Sequence, residues 1–187
     1  MKIVSINSYD IRFPTSLENI GTDAVHTDCD YSSSYLEILT DDPNLTGIGM
    51  TFTIGKGNDL CVQCINYFKP LILNKTIVEI EKDMDLLWRE CTNHSQLRWL
   101  GPEKGLVHLA VAALFNGLWD LICKYHKKPL WKYIVELETE HLIDKLSFSY
   151  IDDAISKSEA FDIIHEKKKN IRIAQENIID IGFPCYT

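Results

Sequence analysis

The sequence has no uninterrupted apolar run of the ~18 residues that a membrane helix needs. Its longest apolar-rich segment, Leu106 to Cys123, is broken by His108, Asn116 and Asp120, so no membrane-embedded chain is expected. Positive charge is scarce as well: 19 Lys and Arg stand against 27 Asp and Glu, for a net charge of −8. Phosphate backbones are held by clustered Lys and Arg, so a nucleic acid is not an expected partner. The six cysteines (29, 61, 64, 91, 123 and 185) are too sparse and irregular for the framework of a small disulfide-stapled domain, and reduced thiols are expected. A secretory h-region is lacking too, because Met1-Lys2-Ile3-Val4-Ser5-Ile6-Asn7 turns polar too soon. A cytoplasmic location is the expectation, with mitochondria as a second compatible compartment.

What is present is an ordinary globular composition. The 187 residues, 45% hydrophobic and 25% charged, suffice for one good core with an appendage. Three strand-like runs come first: Lys2 to Arg12, Ser34 to Thr40, and Gly47 to Ile54. In the second, Tyr35, Glu37 and Leu39 alternate with Leu36 and Ile38, as a half-buried strand requires. The turn-rich Asp41-Asp42-Pro43-Asn44 then predicts a hairpin, and with it a small antiparallel sheet.

Helical patterns follow. Asn58 or Asp59 is placed to cap a helix to about Leu73, and Thr76 opens one carrying Ile80, Met84, Leu87 and Trp88 at i, i+4, i+7, i+8 spacing. Gly101-Pro102-Glu103-Lys104 reads as the start of a third, apolar around most of its circumference from Leu106 to Ile122. Such a helix must be covered on several sides. A short helix is expected from Pro129-Leu130-Trp131, a strand-like piece at Lys145-Leu146-Ser147-Phe148, and charged helix from Asp152 to Ile181.

Several motifs invite chemistry, and each has a plainer reading. Cys61-Val62-Gln63-Cys64 has the spacing of a redox pair or half a zinc site, but no second cysteine pair or thioredoxin-like pattern accompanies it, so packing is favoured. His26-Thr27-Asp28-Cys29-Asp30 offers four potential metal ligands, which an extended chain would aim apart; loop positioning is favoured. Gly55-Lys56-Gly57 lacks the remaining residues of a dinucleotide loop or P-loop and reads as a strand-end turn. His108 and Asp120 need partners inside an apolar helix and are expected to find structural ones. Lys167-Lys168-Lys169 reads as a solvated face, Glu103 as a first-turn acid on the helix dipole, and Arg98 and Trp99 as packing residues or supports for a lid.

The helix Ala110-Val111-Ala112-Ala113-Leu114-Phe115-Asn116-Gly117-Leu118-Trp119-Asp120-Leu121, followed by Lys128-Pro129-Leu130, resembles the segment that closes the capping domain of mandelate racemase-type enolase-superfamily enzymes. Further stretches resemble the L-fuconate dehydratase type in particular. They are Asp10-Ile11-Arg12-Phe13-Pro14-Thr15-Ser16-Leu17, His26 to Ser32, Thr51 to Gly57 and Gln96 to Gly105. The resemblance implies an α+β fold: a three-stranded antiparallel sheet followed by a helical bundle, at residues 1–135, as an N-terminal capping domain. A helical connector at 136–181 and the start of a truncated β/α barrel at 182–187 complete the expected organisation.

The implied activity is that of a hydro-lyase which removes water from a sugar acid to leave a 2-keto-3-deoxy acid. In the full-length family the barrel supplies the base and Mg²⁺ stabilises the enediolate. The metal ligands and catalytic residues are therefore expected outside this chain, which is expected to be inactive alone. The resemblance gives it the substrate-closing loop, Pro14 to Ser32, with Gly21, Thr22, Asp23 and Tyr31 as substrate contacts. Glu18-Asn19-Ile20 departs from the glycine-richer form of that loop. A homo-oligomer is compatible with this reading, and a non-catalytic protein-interaction module is the alternative.

Overall fold

The structure, a computed structural model, describes residues 1–100 and 104–182. Strands β1 (Ile3–Arg12), β2 (Ser32–Thr40) and β3 (Thr46–Thr53) form one antiparallel sheet in the order β1-β2-β3. In register, Ile6 pairs with Ile38 and Ile38 with Gly47, while Tyr9 pairs with Tyr35 and Tyr35 with Met50. The period-2 pattern therefore sorts the faces: Ile6, Leu36 and Ile38 are buried under helices, and Tyr9 and Met50 lie exposed on the other side.

Helices α1 (Asn58–Ile72), α2 (Ile77–Lys82), α3 (Met84–Thr92) and α4 (Leu106–Tyr125) cover the buried face. The sequence pattern runs α2 and α3 together, but the chain breaks at Asp83, which is the C-cap of one and the N-cap of the other. No residue is inserted at the break. Ile80, Met84 and Leu87 thus keep a common buried face. Thr76 caps α2 as expected, in a capping box with Glu79.

The central contact is α4 on β3, made possible by three glycines. A Cβ at Gly49 would stand 2.1 Å from the Ala113 carbonyl oxygen, and one at Gly47 2.4 Å from that of Gly117. At Gly117 it would meet Leu36 Cδ1 at 2.8 Å. Asp120 pins the same crossing, its Oδ2 accepting from the Ile48 N–H (2.8 Å) and from Lys124 Nζ (2.6 Å). By length and composition α4 could cross a membrane, yet 61% of the stretch is buried inside the fold, and that burial identifies a core helix. The sequence expectation of structural partners for Asp120 holds.

The chain divides into two compact units, Met1–Leu130 and a second starting at Trp131. Beyond α5 (Leu130–Glu136), the second unit has α6 (Thr139–Ile143), α7 (Lys157–Lys168) and α8 (Ile171–Ile181). Lys145–Phe148 is not a strand: Lys145 and Leu146 continue the α6 turn by donating to the Leu142 and Ile143 carbonyls. Two alternating apolar residues with no ladder partner do not make a strand. Lys167 and Lys168 end α7, and Lys169 pairs with Glu166, the solvated arrangement expected of that run. Gly101, Pro102, Glu103 and residues 183–187, on which a helix start and a barrel strand were expected, lie outside the described residues.

Candidate functional site

The loop from Pro14 to Tyr31 crosses from β1 to β2 and is stapled at its stem. Thr15 Oγ1 donates to the Cys29 carbonyl (2.9 Å) and accepts from the Tyr31 N–H (2.9 Å). Asp30 Oδ1 accepts from both the N–H (3.2 Å) and the hydroxyl (2.6 Å) of Ser16, which holds its carboxyl below the usual range. Beyond the stem the tip is open to solvent, with Leu17 80% and Val25 81% exposed.

The structure brings two of the four expected contact residues together. Tyr31 donates its hydroxyl to the Gly21 carbonyl at 3.3 Å, and its ring stands edge-on to Phe52 with centroids 5.2 Å apart. Gly21 sits at φ 74°, and a Cβ there would lie 2.1 Å from the Tyr31 hydroxyl oxygen, so only glycine fits beneath the phenol. Thr22 and Asp23 turn elsewhere: Thr22 Oγ1 donates to the Asn19 carbonyl (2.9 Å). Asp23 Oδ1 accepts from the N–H groups of Val25 (2.8 Å) and His26 (2.7 Å), with the His26 ring 3.2 Å away. Those backbone donors, His26 first, bring the Asp23 carboxyl down to about 2.

Within His26 to Asp30 the partners differ, although His26, Asp28, Cys29 and Asp30 all border one cleft. His26 is on Asp23, Cys29 is buried and Asp30 is on Ser16. Among the described residues no group of three or more His, Cys, Asp or Glu side chains could hold a metal ion, so no step through magnesium is assigned to them. Burial pushes the Cys61 thiol up and that of Cys64 to about 11, which suits packing and not thiolate chemistry. Trp99 is 87% exposed, so it is not a packed residue.

The second wall of the site is the turn after β3, where Gly55 (φ 115°) and Gly57 (φ 86°) carry Lys56 outward. A cleft of about 530 Å³ lies between wall and loop, with Arg12, His26, Asp28, Asp30 and Lys56 among its lining. That volume is in the ~300–1,000 Å³ range of small-ligand pockets. Arg12 was missed as a site residue, although Asp10 and Arg12 at i, i+2 on one strand face signal a same-side ion pair. Asn58 was expected as a cap, but Gly57 is the N-cap and the Asn58 side chain is fully buried against the strands.

Residues 18–134 match the N-terminal domain of the mandelate racemase / muconate lactonizing enzyme family. The chain is 41% identical over 187 residues to mitochondrial enolase superfamily member 1 of Bos taurus, covering all of this chain and 42% of that protein. It is 40% identical to L-galactonate dehydratase of Hypocrea jecorina, covering 99% of this chain and 41% of that one. The crystal structure of human mitochondrial enolase superfamily member 1 superposes with a TM-score of 0.89 at 39% identity, over 95% of this chain and 40% of that one. A Streptomyces coelicolor racemase with bound magnesium shares the fold, at 22% identity and a TM-score of 0.54 over 71% of this chain and 33% of that one. The chain thus spans about two fifths of the length of the curated relatives it matches.

Proposed function

The chain belongs to the mandelate racemase / muconate lactonizing enzyme family of the enolase superfamily, and from that membership we propose that it is the capping part of a sugar-acid dehydratase. The observation that supports the reading is the stapled loop with an open tip, whose stem residues Ser16 and Asp30 border a cleft of small-ligand size. L-Fuconate or a closely related C6 acid such as L-galactonate is the substrate of the whole enzyme in this reading. Gly21, Thr22, Asp23 and Tyr31 close over it. Mg²⁺ and the base that removes the proton next to the carboxylate come from outside residues 1–187, and cytoplasm or mitochondria is the compartment.

The loop groups must change partners to do this. The Tyr31 hydroxyl and Thr22 hydroxyl are both spent on loop carbonyls, and each is released only if the tip moves. A closing loop that exchanges internal hydrogen bonds for ligand bonds loses little in the exchange, since both states are satisfied.

The test is to join this chain in frame to the barrel half of the human relative and assay L-fuconate and L-galactonate with Mg²⁺. Turnover to a 2-keto-3-deoxy acid is expected from the joined protein and none from the chain alone. A folded, magnesium-binding chimera that dehydrates no sugar acid would sink the reading.

A further inference from the structure

One of the cleft's lining side chains, Arg12, is joined to the core by a relay of hydrogen bonds. Arg12 ends β1, with its Nε donating to Asp10 Oδ1 (2.8 Å) and Nη2 to Asp10 Oδ2 (2.7 Å). Nη2 also lies 3.5 Å from Asp59 Oδ1 at the start of α1. Nη1 keeps both its N–H groups without a partner among the described residues.

Asp10 is held in turn from behind. Asn58 Nδ2 donates to Asp10 Oδ1 (2.5 Å) and to the Ser33 carbonyl (3.1 Å). Its Oδ1 accepts from Ser34 Oγ (2.8 Å) and Thr53 Oγ1 (3.0 Å). A side-chain amide has two donors and two acceptor sites, and here all four are used. Through this one buried side chain the first turn of α1 is tied to β1, β2 and β3 at the strand ends bordering the cleft. Arginine and asparagine both depress the Asp10 carboxyl, which stays charged and keeps its grip on the guanidinium.

Such a fork, met on one edge by a carboxylate, is biased toward one orientation before any ligand arrives, although the pair is partly exposed. Less ordering is then left for a ligand to impose. The chemistry of the ligand follows from the rest of the lining. Arg12 and Lys56 face Asp28 and Asp30, so the cleft has no net pull on a free anion. It does offer donors beside acceptors, and a hydroxyl needs both.

We propose that Arg12 is a binding donor of this cleft for the hydroxyl-bearing part of a polyhydroxy acid, and that Asp10 and Asn58 are the positioning residues that aim it. The choice of ligand rests on the capping-part reading above, whereas the relay stands on the contacts alone. The experiment is titration of L-galactonate into the isotope-labelled chain, followed by NMR. Saturable shifts of the Arg12 Nε–H and of the Lys56 and His26 amides are expected. Arg12→Lys keeps the charge but loses the planar fork, and binding should weaken roughly tenfold, as expected for loss of a charge-assisted hydrogen bond.

Asp10→Asn, which preserves shape and avoids disturbing buried Asn58, should weaken binding and speed hydrogen exchange at Arg12 Nε. If Gly21 to Asp23 shift with L-galactonate equally in Arg12→Lys and the parent, the Arg12 assignment is overturned while the loop reading stands. If no resonance shifts, the Arg12 assignment falls, while the capping-part reading, which places Mg²⁺ outside residues 1–187, is judged by the joined protein. Equally fast exchange at Arg12 Nε in the parent and in Asp10→Asn overturns the positioning role whatever the ligand does.

Discussion

At the scale of single residues, the loop's conformation depends on two residues, Gly21 and Asp23, that the sequence also marks as candidate ligand contacts. Gly21→Ala sets a methyl into the Tyr31 phenol and forces φ 74° on a residue with a Cβ. Left-handed backbone costs on the order of 1–3 kcal/mol for such residues, so the tip should detach from Tyr31. Faster amide exchange over residues 17–28, with the sheet amides unchanged, is the expected result. Asp23 gives a pH dependence. Its carboxyl, lowered from 3.8 to about 2, contributes loop stability that is complete above about pH 4 and is lost as pH falls through 2. The Val25 and His26 N–H groups should therefore lose protection between pH 4 and 2, and Asp23→Asn should show no such step.

At the scale of elements, the hairpin and α4 were legible in the sequence because each is set by a periodic pattern longer than its exceptions. Leu36 and Ile38 alternate with Tyr35 and Glu37, and the observed β2 buries that set. Asn58 was read as a cap because residue type and position fit one; what overrides it is the set of strand partners 5 to 48 residues away. The loop contacts of Gly21 and Tyr31 were hidden for the same reason, since a Gly–Tyr contact leaves no periodic trace. Gly47, Gly49 and Gly117 could be seen only as glycines, not as one crossing. Gly49→Val should force α4 and β3 apart and lower stability by about 1–3 kcal/mol or more, measured by chemical denaturation. Asp120→Ala leaves the Ile48 N–H without its acceptor, at a cost of about 1–3 kcal/mol. The loss from Asp120→Ala should not add fully to that of Gly49→Val, because both act on the same crossing.

At the scale of the whole molecule, the core is unevenly distributed. Unit Met1–Leu130 holds the fully buried Ile3, Leu36, Ile38, Ile65, Phe68, Leu114, Leu118 and Ile122, each contributing about 1.5–3 kcal/mol of apolar burial. In the second unit α6 packs on α7 around Thr139, Ile143 and Ala160, while Tyr150, Ile179 and Ile181 remain widely exposed. Helices with so little buried surface are marginal on their own. Local opening free energies follow buried apolar area, so the second unit should open first. Limited proteolysis should then cut beyond Trp131 and leave a resistant core close to Met1–Leu130. That fragment, produced directly, should keep the sheet signal in far-UV circular dichroism and a cooperative melt within a few degrees of the parent's first-unit transition. A fragment that unfolds without cooperativity would show that residues after Leu130 are part of the same folding unit, and the division seen in the structure would then be one of geometry and not of stability.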